Sequence, residues 1–379
     1  MKTYYLDHAA TTPLDKRVLD EMLPFMTSSF GNPSSIHHEG VLVKKKINES
    51  RKIVADYFGV DMSSVIFTSG GTEATNLAIL GCAKSHLDQK EIITSTIEHH
   101  ATMHTLDELE KQGYVIHRIP VNHEGFIDLD ILKSKLSDKT LMVTLIWANN
   151  EIGTIQDVHK IGNMCHEHGV ILHVDAVQMV PHFPIHLNHM PVDMMTVSAH
   201  KFYGPKGIGA LIMKDKRLIT PIVYGGNQEM GFRSGTENVY GIIGFAKALS
   251  LLCIEREERT HMSRLMGDQL VEKLKQRIPH IKQNGPKHQK DRLPGLLSLS
   301  FPNVSSTDLA YQLDELGFYV STGSACLSND IVMSHVLKAV GVSEKVGTIR
   351  ISLGSSVSLD DLDSIVDGIV KAYQEINIL

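Results

Sequence analysis

The stretch Leu141-Met142-Val143-Thr144-Leu145-Ile146-Trp147 is apolar almost throughout. A strand with this composition is covered on both faces, as in a parallel sheet that has helices on either side. Further short β-branched runs alternate with helical stretches through the first two thirds of the chain. Together, the predicted strands are 65–68, 91–96, 114–119, 140–147, 170–175, 193–198 and 208–213. This alternation predicts an α/β fold with a mostly parallel, seven-stranded sheet.

The last third of the sequence has a different character. A long helical stretch over 241–278 is rich in Leu, Glu, Lys and Arg. Fewer predicted strands follow it, at 296–301, 318–322 and 348–353. The final helix opens with Ser358-Leu359-Asp360-Asp361, a pattern that resembles a capping box. We therefore expect a large domain over 14–255 and a smaller α+β domain formed by 1–13 and 256–379.

Composition excludes several classes of protein. The 379 residues carry a net charge of −6, whereas nucleic-acid binders usually present a basic face. The sequence has no apolar run of about 18 residues, so we expect no membrane span. Its first residues also lack the basic-then-apolar pattern of a signal peptide. Its 4 cysteines lie far apart, which favours a reducing, cytoplasmic setting. Although there are 21 histidines, neither HExxH nor a cysteine pair accompanies them, so we expect no resident metal.

Three motifs follow predicted strands. Ser69-Gly70-Gly71-Thr72 could bring backbone N–H groups and a helix N-terminus to an anion, or could simply be a tight strand–helix turn. Asp175 closes a strand at the edge where open α/β sheets bind ligands, although it could also be a helix N-cap. Lys201 is flanked by Ser198 and His200 and is followed by a Gly/Pro-rich turn, a setting unusual for a solvated charge.

Together, the three motifs supply what pyridoxal phosphate (PLP) requires of a protein. A lysine can form a Schiff base with the cofactor when its surroundings lower its pKa. An aspartate can keep the ring nitrogen protonated, and a Gly/Thr/Ser cup can hold the phosphate.

In this order and spacing, the motifs resemble those of cysteine desulfurases of the NifS/IscS type, which are fold-type I PLP enzymes of the class-V aminotransferase family. The resemblance covers nearly the whole chain. The matching stretches are Leu6–Pro13, Phe30–Ser35, Thr68–Asn76, Glu98–His99, Ala148–Gly153, His173–Gln178, Ser198–Gly209, Arg233–Asn238, Gly323–Cys326 and Arg350–Gly354.

The resemblance implies roles for the residues around the cofactor ring. Lys201 would hold PLP covalently, and Asp175 would pair with the pyridinium nitrogen. Gln178 would contact the phenolic oxygen, while His99 would stack on the ring and assist proton transfer.

The resemblance also implies a phosphate site and a substrate site. The residues that would hold the phosphate are Gly71, Thr72, Ser198 and His200. Thr236 would reach the phosphate from a second subunit, which implies a homodimer. Asn150 and Arg350 would hold the substrate, with the planar guanidinium gripping the α-carboxylate through two hydrogen bonds.

Cys326 determines the expected chemistry. Its surroundings, Ser321–Ser328, are small and polar, which predicts an exposed, flexible loop of the longer NifS/IscS kind. The resemblance implies that its thiolate takes sulfur from L-cysteine, releases L-alanine and passes the resulting persulfide to an iron–sulfur scaffold or a tRNA-thiolating enzyme. Cys326 could also ligate an iron–sulfur cluster transiently during this transfer. We expect the other cysteines, Cys82, Cys165 and Cys253, to be small buried hydrophobic residues.

The residues weigh against three other kinds of function. A selenocysteine lyase or a cysteine-sulfinate desulfinase would also use PLP, but neither needs a thiol nucleophile. A dinucleotide-dependent oxidoreductase is disfavoured because no GxGxxG follows an early strand. The presence of Lys201, Asp175, His99 and Cys326 together argues against a non-catalytic interaction protein.

Overall fold

The computed structural model describes residues 2–322 and 333–377. Up to residue 277 its elements are β1 (Tyr4–Tyr5), α1 (Lys16–Thr27), α2 (His38–Phe58), β2 (Val65–Thr68), α3 (Gly71–Ser85), β3 (Glu91–Ser95), α4 (His100–Lys111), β4 (Val115–Ile119), α5 (Leu129–Lys135), β5 (Thr140–Ile146), α6 (Val158–Glu167), β6 (Ile171–Asp175), β7 (Met194–Ser198), β8 (Gly209–Met213) and α7 (Val239–Arg277). The remaining elements are β9 (Lys282–Gln283), β10 (Leu296–Pro302), α8 (Ser306–Glu315), β11 (Phe318–Tyr319), α9 (His335–Ala339), β12 (Val346–Ser352) and α10 (Leu362–Asn377).

The largest sheet has seven strands in the order β2-β8-β7-β6-β5-β3-β4. β8 runs antiparallel to both of its neighbours, and the other pairings are parallel. The prediction of a mostly parallel, seven-stranded α/β sheet is therefore confirmed. Because β2, β6 and β7 run the same way, Thr68, Asp175 and Ser198 end their strands at one edge of the sheet.

The smaller part of the molecule is built around an antiparallel sheet in the order β12-β10-β9. Its apolar core includes Leu6, Phe301, Ile349 and Ile365, each completely or almost completely inaccessible to solvent. The N-terminal strand β1 pairs with β11, so the first residues of the chain pack with the last third. The predicted capping box is present, with the Asp361 carboxylate accepting from both the backbone N–H and the hydroxyl of Ser358.

Two predicted features of the last third need correction. The strand expected over 318–322 ends at Tyr319, because its partner β1 is only two residues long. Ser321 instead forms an isolated bridge with Arg350 of β12. Cys253 is exposed, so the expectation that it is a buried hydrophobic residue is wrong; Cys82 and Cys165 are buried as expected.

A buried ion pair fixes one flank of the large sheet. Both guanidinium Nη atoms of Arg51 donate to the Glu229 carboxylate, at 2.8 and 2.6 Å. One of those oxygens also accepts from the backbone N–H of Phe67 in β2, at 2.9 Å. Glu229 lies in a backbone stretch with positive φ, 47° at Glu229 and 58° at Met230. We infer that the ion pair stabilises this unfavourable conformation against the sheet.

Glu229→Ala should lower the free energy of unfolding by about 3–5 kcal/mol, because it leaves the Arg51 guanidinium buried without its carboxylate. Asp56→Ala is the matched control, since it removes the partner of Lys52 from an exposed pair on the same helix. That change should cost no more than about 0.5 kcal/mol. Urea unfolding followed by circular dichroism measures both, and equal losses in the two variants would contradict this account.

Candidate active site

A cavity of about 420 Å³ opens at the carboxyl edge of the large sheet. The sequence-predicted residues that line it are Gly71, Thr72, His99, Asn150, Asp175, Gln178, Ser198, His200, Lys201 and Arg350. They come from the ends of three strands (β5, β6 and β7), from two helix N-termini and from β12 of the smaller sheet. The fold thus gathers into one cavity residues that are separated by almost 300 positions in the sequence.

Lys201 lies in a short 3-10 turn, Ala199–Lys201, immediately after β7. Its Nζ donates to the carbonyl oxygens of Ala9 and Ala10, at 2.6 and 2.7 Å. Burial and, next, the positive charge of Arg350 lower the pKa of Lys201 to about 8. A substantial fraction of the side chain is therefore neutral near physiological pH, which is the form that can act as a nucleophile or base.

Asp175 ends β6 beneath the same cavity and is 7% exposed. Its Oδ1 accepts from the backbone N–H of Val177 at 3.0 Å. Burial raises the pKa of Asp175, while the neighbouring His99 and Lys201 oppose that shift. A carboxylate placed here is further stabilised by any cationic group that enters the cavity.

The first turn of α3 also lines the cavity. Gly71 begins this 15-residue helix, and a Cβ there would lie 3.1 Å from a methyl group of Val177. Gly209 lets β8 pass close behind this turn, since a Cβ there would lie 2.7 Å from the carbonyl carbon of Gly70. The turn thus presents backbone N–H groups and the positive end of a helix, with Thr72 and Ser198 alongside. This arrangement suits a phosphate group.

His99 is the N-cap of α4, and its Nδ1 accepts from the backbone N–H of Ala101 at 3.1 Å. Nδ1 must therefore be unprotonated, which places the proton of the neutral ring on Nε2. Although the ring remains accessible from the cavity, desolvation lowers the pKa of His99, and Asp175 opposes that shift. His200 is also neutral, because burial and then the nearby Lys201 and Lys206 lower its pKa to about 4.

Arg350 reaches the cavity from β12. One Nη donates to the Asp7 carboxylate at 2.6 Å and the other to the carbonyl oxygen of Asn150 at 3.0 Å. Its Nε is buried without a hydrogen-bond partner in the described structure. The guanidinium therefore has donor capacity left for a ligand. Asp7 stands in a motif quoted from the sequence, but sequence analysis gave it no role.

For three of the residues predicted from the sequence, the structure does not show the expected contact with the cofactor site. Cys326 lies outside the described residues. Thr236 is described, exposed to solvent and absent from the residues that line the cavity. Gln178 lines the cavity, and its Nε2 donates to the carbonyl oxygen of Ala9 at 2.9 Å, beside the Lys201 ammonium.

Glu98 also shapes the site, and sequence analysis gave it no separate role. Its carboxyl group accepts from the backbone N–H of Ile146 at 2.7 Å and from the hydroxyl of Ser95. It thus ties the loop that carries His99 to the end of β5. Burial raises the pKa of Glu98 to about 8, and its place next to His99 in the Glu98-His99 motif was the available sequence signal.

Comparisons with known proteins agree with this site. The class-V aminotransferase family profile matches residues 4–365. The chain is 41% identical over 378 residues to the cysteine desulfurase IscS of Clostridium botulinum, covering 99% of this chain and 95% of the relative. It is 42% identical to the IscS of Dictyoglomus turgidum over 375 residues, covering 98% and 95%.

Solved structures of similar fold point to the same group of proteins. A NifS-like protein superposes with a TM-score of 0.92 at 34% identity, with all of both chains covered. SspA in complex with cysteine superposes with a TM-score of 0.82 at 33% identity, covering 93% of this chain and 99% of that one.

The chain belongs to the class-V aminotransferase family and, within it, to the cysteine desulfurases of the NifS/IscS type. These are PLP-dependent enzymes of fold-type I. The residues of the cavity fit that cofactor: it is lined by a lysine of lowered pKa, by a buried aspartate and by a helix N-terminus that begins at Gly71, where a Cβ would be in tight contact with Val177. No described helix is both long and apolar enough to span a bilayer.

The rate at which the cofactor-free protein binds PLP covalently should rise with pH through a midpoint of about 8, because only the neutral Lys201 amine attacks an aldehyde. Arg350→Gln should move this midpoint upward, since it removes a neighbouring positive charge. Lys206→Gln, on the exposed turn after Lys201, is the control and should leave the midpoint in place. Absorbance of the bound cofactor follows the reaction. A wild-type midpoint near that of free lysine, about 10.4, would contradict this account.

Proposed function

We propose that the protein transfers the sulfur of L-cysteine to Cys326 and releases L-alanine. The observation that carries this proposal is the position of the two described chain ends that flank residues 323–332. Ser321 pairs with the backbone of Arg350, and Ser334 donates to the carboxylate of Glu151, beside Asn150. Both ends are thereby tied to the substrate side of the cavity. Cys326 follows Ser321 by five residues in the sequence, and a fully extended chain of that length spans about 18 Å.

The cofactor-binding roles follow the shape of the cavity. Lys201 would hold the aldehyde carbon of PLP, Asp175 the ring nitrogen and Gln178 the phenolic oxygen. The residues that would bind the phosphate are Gly71, Thr72, Ser198 and His200. When bound, PLP supplies the electron withdrawal that makes the α-proton of an amino acid acidic.

The substrate is held and deprotonated by residues of the chain itself. Arg350 would bind the α-carboxylate with the donor capacity that its contacts with Asp7 and Asn150 leave, and the Asn150 side chain would complete the grip. Lys201, whose pKa is close to 8, would take the α-proton as a neutral amine. Neutral His99 would donate from Nε2, because its Nδ1 caps α4.

The sulfur transfer is balanced without an external oxidant. The Cys326 thiolate attacks the sulfur of the bound substrate, a sulfur–sulfur bond forms, and the substrate carbon–sulfur bond breaks. The electron pair of that bond stays with the substrate carbon, which takes up a proton and becomes the methyl group of L-alanine. Cys326 is left as a persulfide.

The chain is proposed to work as two domains. The large domain comprises residues 14–255, and the small domain combines residues 1–13 with residues 256–379. The two largest apolar clusters of the described structure support this division. One contains Phe202 and Phe245, whereas the other contains Leu6 and Phe301. Helix α7 runs without a break through the boundary near residue 255.

The working unit is proposed to be a homodimer in which Thr236 reaches the phosphate in the partner's cavity. Exposed apolar side chains on the segment between α1 and α2 support this assembly. Phe30 is 78% exposed and Ile36 is 97% exposed, which is typical of a surface that another chain covers. Thr236 is exposed as well, and its own cavity is lined by other residues.

The persulfide is proposed to pass to a protein acceptor in the cytoplasm. The relatives named IscS favour an iron–sulfur scaffold, and a tRNA-thiolating enzyme is the second acceptor to test. An iron–sulfur cluster in transit would be cargo that Cys326 ligates briefly. Neither acceptor requires direct contact of the chain with nucleic acid.

With L-cysteine and a reductant, the protein should release alanine and sulfide in equal amounts. Cys326→Ala should abolish both products while the absorbance of lysine-bound PLP remains. Cys253→Ala is the matched control, because Cys253 is the exposed cysteine among the described residues, and it should keep wild-type rates. If Cys326→Ala remained active, the loop thiol would not be the nucleophile. A selenocysteine lyase or a cysteine-sulfinate desulfinase would then be tested with its own substrate.

A further inference from the structure

Glu151 occupies a position that the steps above leave without a role. It follows Asn150 in the turn after β5, and its Oε2 accepts a hydrogen bond from the Ser334 hydroxyl at 2.5 Å. Burial raises the pKa of Glu151 to about 7, so its carboxylate is held there at a cost in solvation. Such a carboxylate calls for a functional explanation.

The turn that carries Glu151 is rigid. The Asn149 Oδ1 accepts from the backbone N–H groups of Glu151 and Ile152, at 2.9 and 3.0 Å. The Nδ2 of Asn149, which is completely buried, donates to the carbonyl oxygen of Ile97 at 2.9 Å. Arg350 binds the next carbonyl of the same turn, that of Asn150. The Glu151 carboxylate therefore has a fixed position relative to the guanidinium that would bind the substrate.

Ser334 connects this turn to helix α9. Its Oγ accepts from the backbone N–H of Val336 at 3.1 Å, so one hydroxyl both caps α9 and donates to Glu151. Val336 and Leu337 belong to one apolar cluster with Ile97 and Ile152. The chain that follows residues 323–332 is thus held against the two loops that carry His99 and Asn150.

We propose that Glu151 is a positioning residue for sulfur transfer: through Ser334 it fixes the start of helix α9, which comes after residues 323–332 in the chain, relative to Arg350, and it takes no part in α-proton removal. This inference rests on the proposed function. The reaction then has two parts with different requirements. Exchange of the α-proton needs Lys201 and Arg350, whereas sulfur transfer also needs the chain around Cys326 to be in place.

The two parts can be measured separately on the PLP-bound enzyme. Exchange of the L-alanine α-proton with deuterated water, followed by NMR, reports proton removal alone. Alanine formation from L-cysteine reports the whole reaction. Glu151→Ala should lower alanine formation about tenfold to a hundredfold, the usual cost of misplaced reacting groups. It should leave α-proton exchange within about twofold of wild type.

Conservative and matched variants separate positioning from general destabilisation. Glu151→Gln keeps an oxygen acceptor for the Ser334 hydroxyl and should restore most of the alanine formation. Ser334→Ala should reproduce Glu151→Ala. Ser305→Ala removes the corresponding cap from α8, where the Ser305 Oγ accepts from the backbone N–H of Asp308 at 3.2 Å, and should change neither rate.

Hydrogen–deuterium exchange gives a readout that is independent of turnover. In Glu151→Ala, peptides covering 334–342 should exchange faster than in wild type, whereas Ser305→Ala should leave them unchanged. The inference is overturned if Glu151→Ala lowers both rates equally or neither, or if Ser305→Ala reproduces its effect. If the wild-type protein forms no alanine from L-cysteine, the proposed function itself fails, which is a different result.

Discussion

The site depends on the buried guanidinium of Arg350. Its side chain is 8% exposed and bonds to Asp7 of the N-terminal segment and to the turn at Asn150. A buried guanidinium is costly unless it is paired, so these contacts oblige distant segments of the chain to meet. The backbone of Arg350 also pairs with Ser321, which lies five residues before Cys326 in the sequence. One side chain thereby joins the small sheet, the N-terminus and the substrate end of the cavity.

Arg350 also sets the electrostatics of the cavity. Its charge adds to the burial that lowers the pKa of Lys201, while Asp175 and Asp7 act in the opposite direction. The Lys201 Nζ donates to two backbone carbonyl oxygens, which a charged ammonium and a neutral amine can both do. Asp175 lies buried in the same cavity, where burial favours its neutral form and the neighbouring His99 and Lys201 favour the charged form. A cofactor with a protonated ring nitrogen and an anionic phosphate would complete this arrangement, because its cationic nitrogen would stabilise the Asp175 carboxylate.

Most of the fold could be predicted from the sequence because the strands of the large sheet are buried on both faces and are therefore apolar. The motifs carrying Asp175 and Lys201 were recognisable because each follows such a strand directly. The Asp7–Arg350 and Glu151–Ser334 contacts could not be found in this way, since each joins residues far apart in the sequence. The short strand β11 and the exposure of Cys253 also depend on tertiary neighbours, namely the length of β1 and the outer face of α7.

In the proposed reaction Cys326 receives the substrate sulfur directly. The most direct test of this transfer is a single turnover with one equivalent of L-cysteine and no reductant, followed by mass spectrometry of the protein under non-reducing conditions. We expect a mass increase of one sulfur atom per subunit, located on the peptide that contains Cys326, together with one equivalent of L-alanine. If alanine formed while the added sulfur lay on Cys253 or on no cysteine, the account would be contradicted.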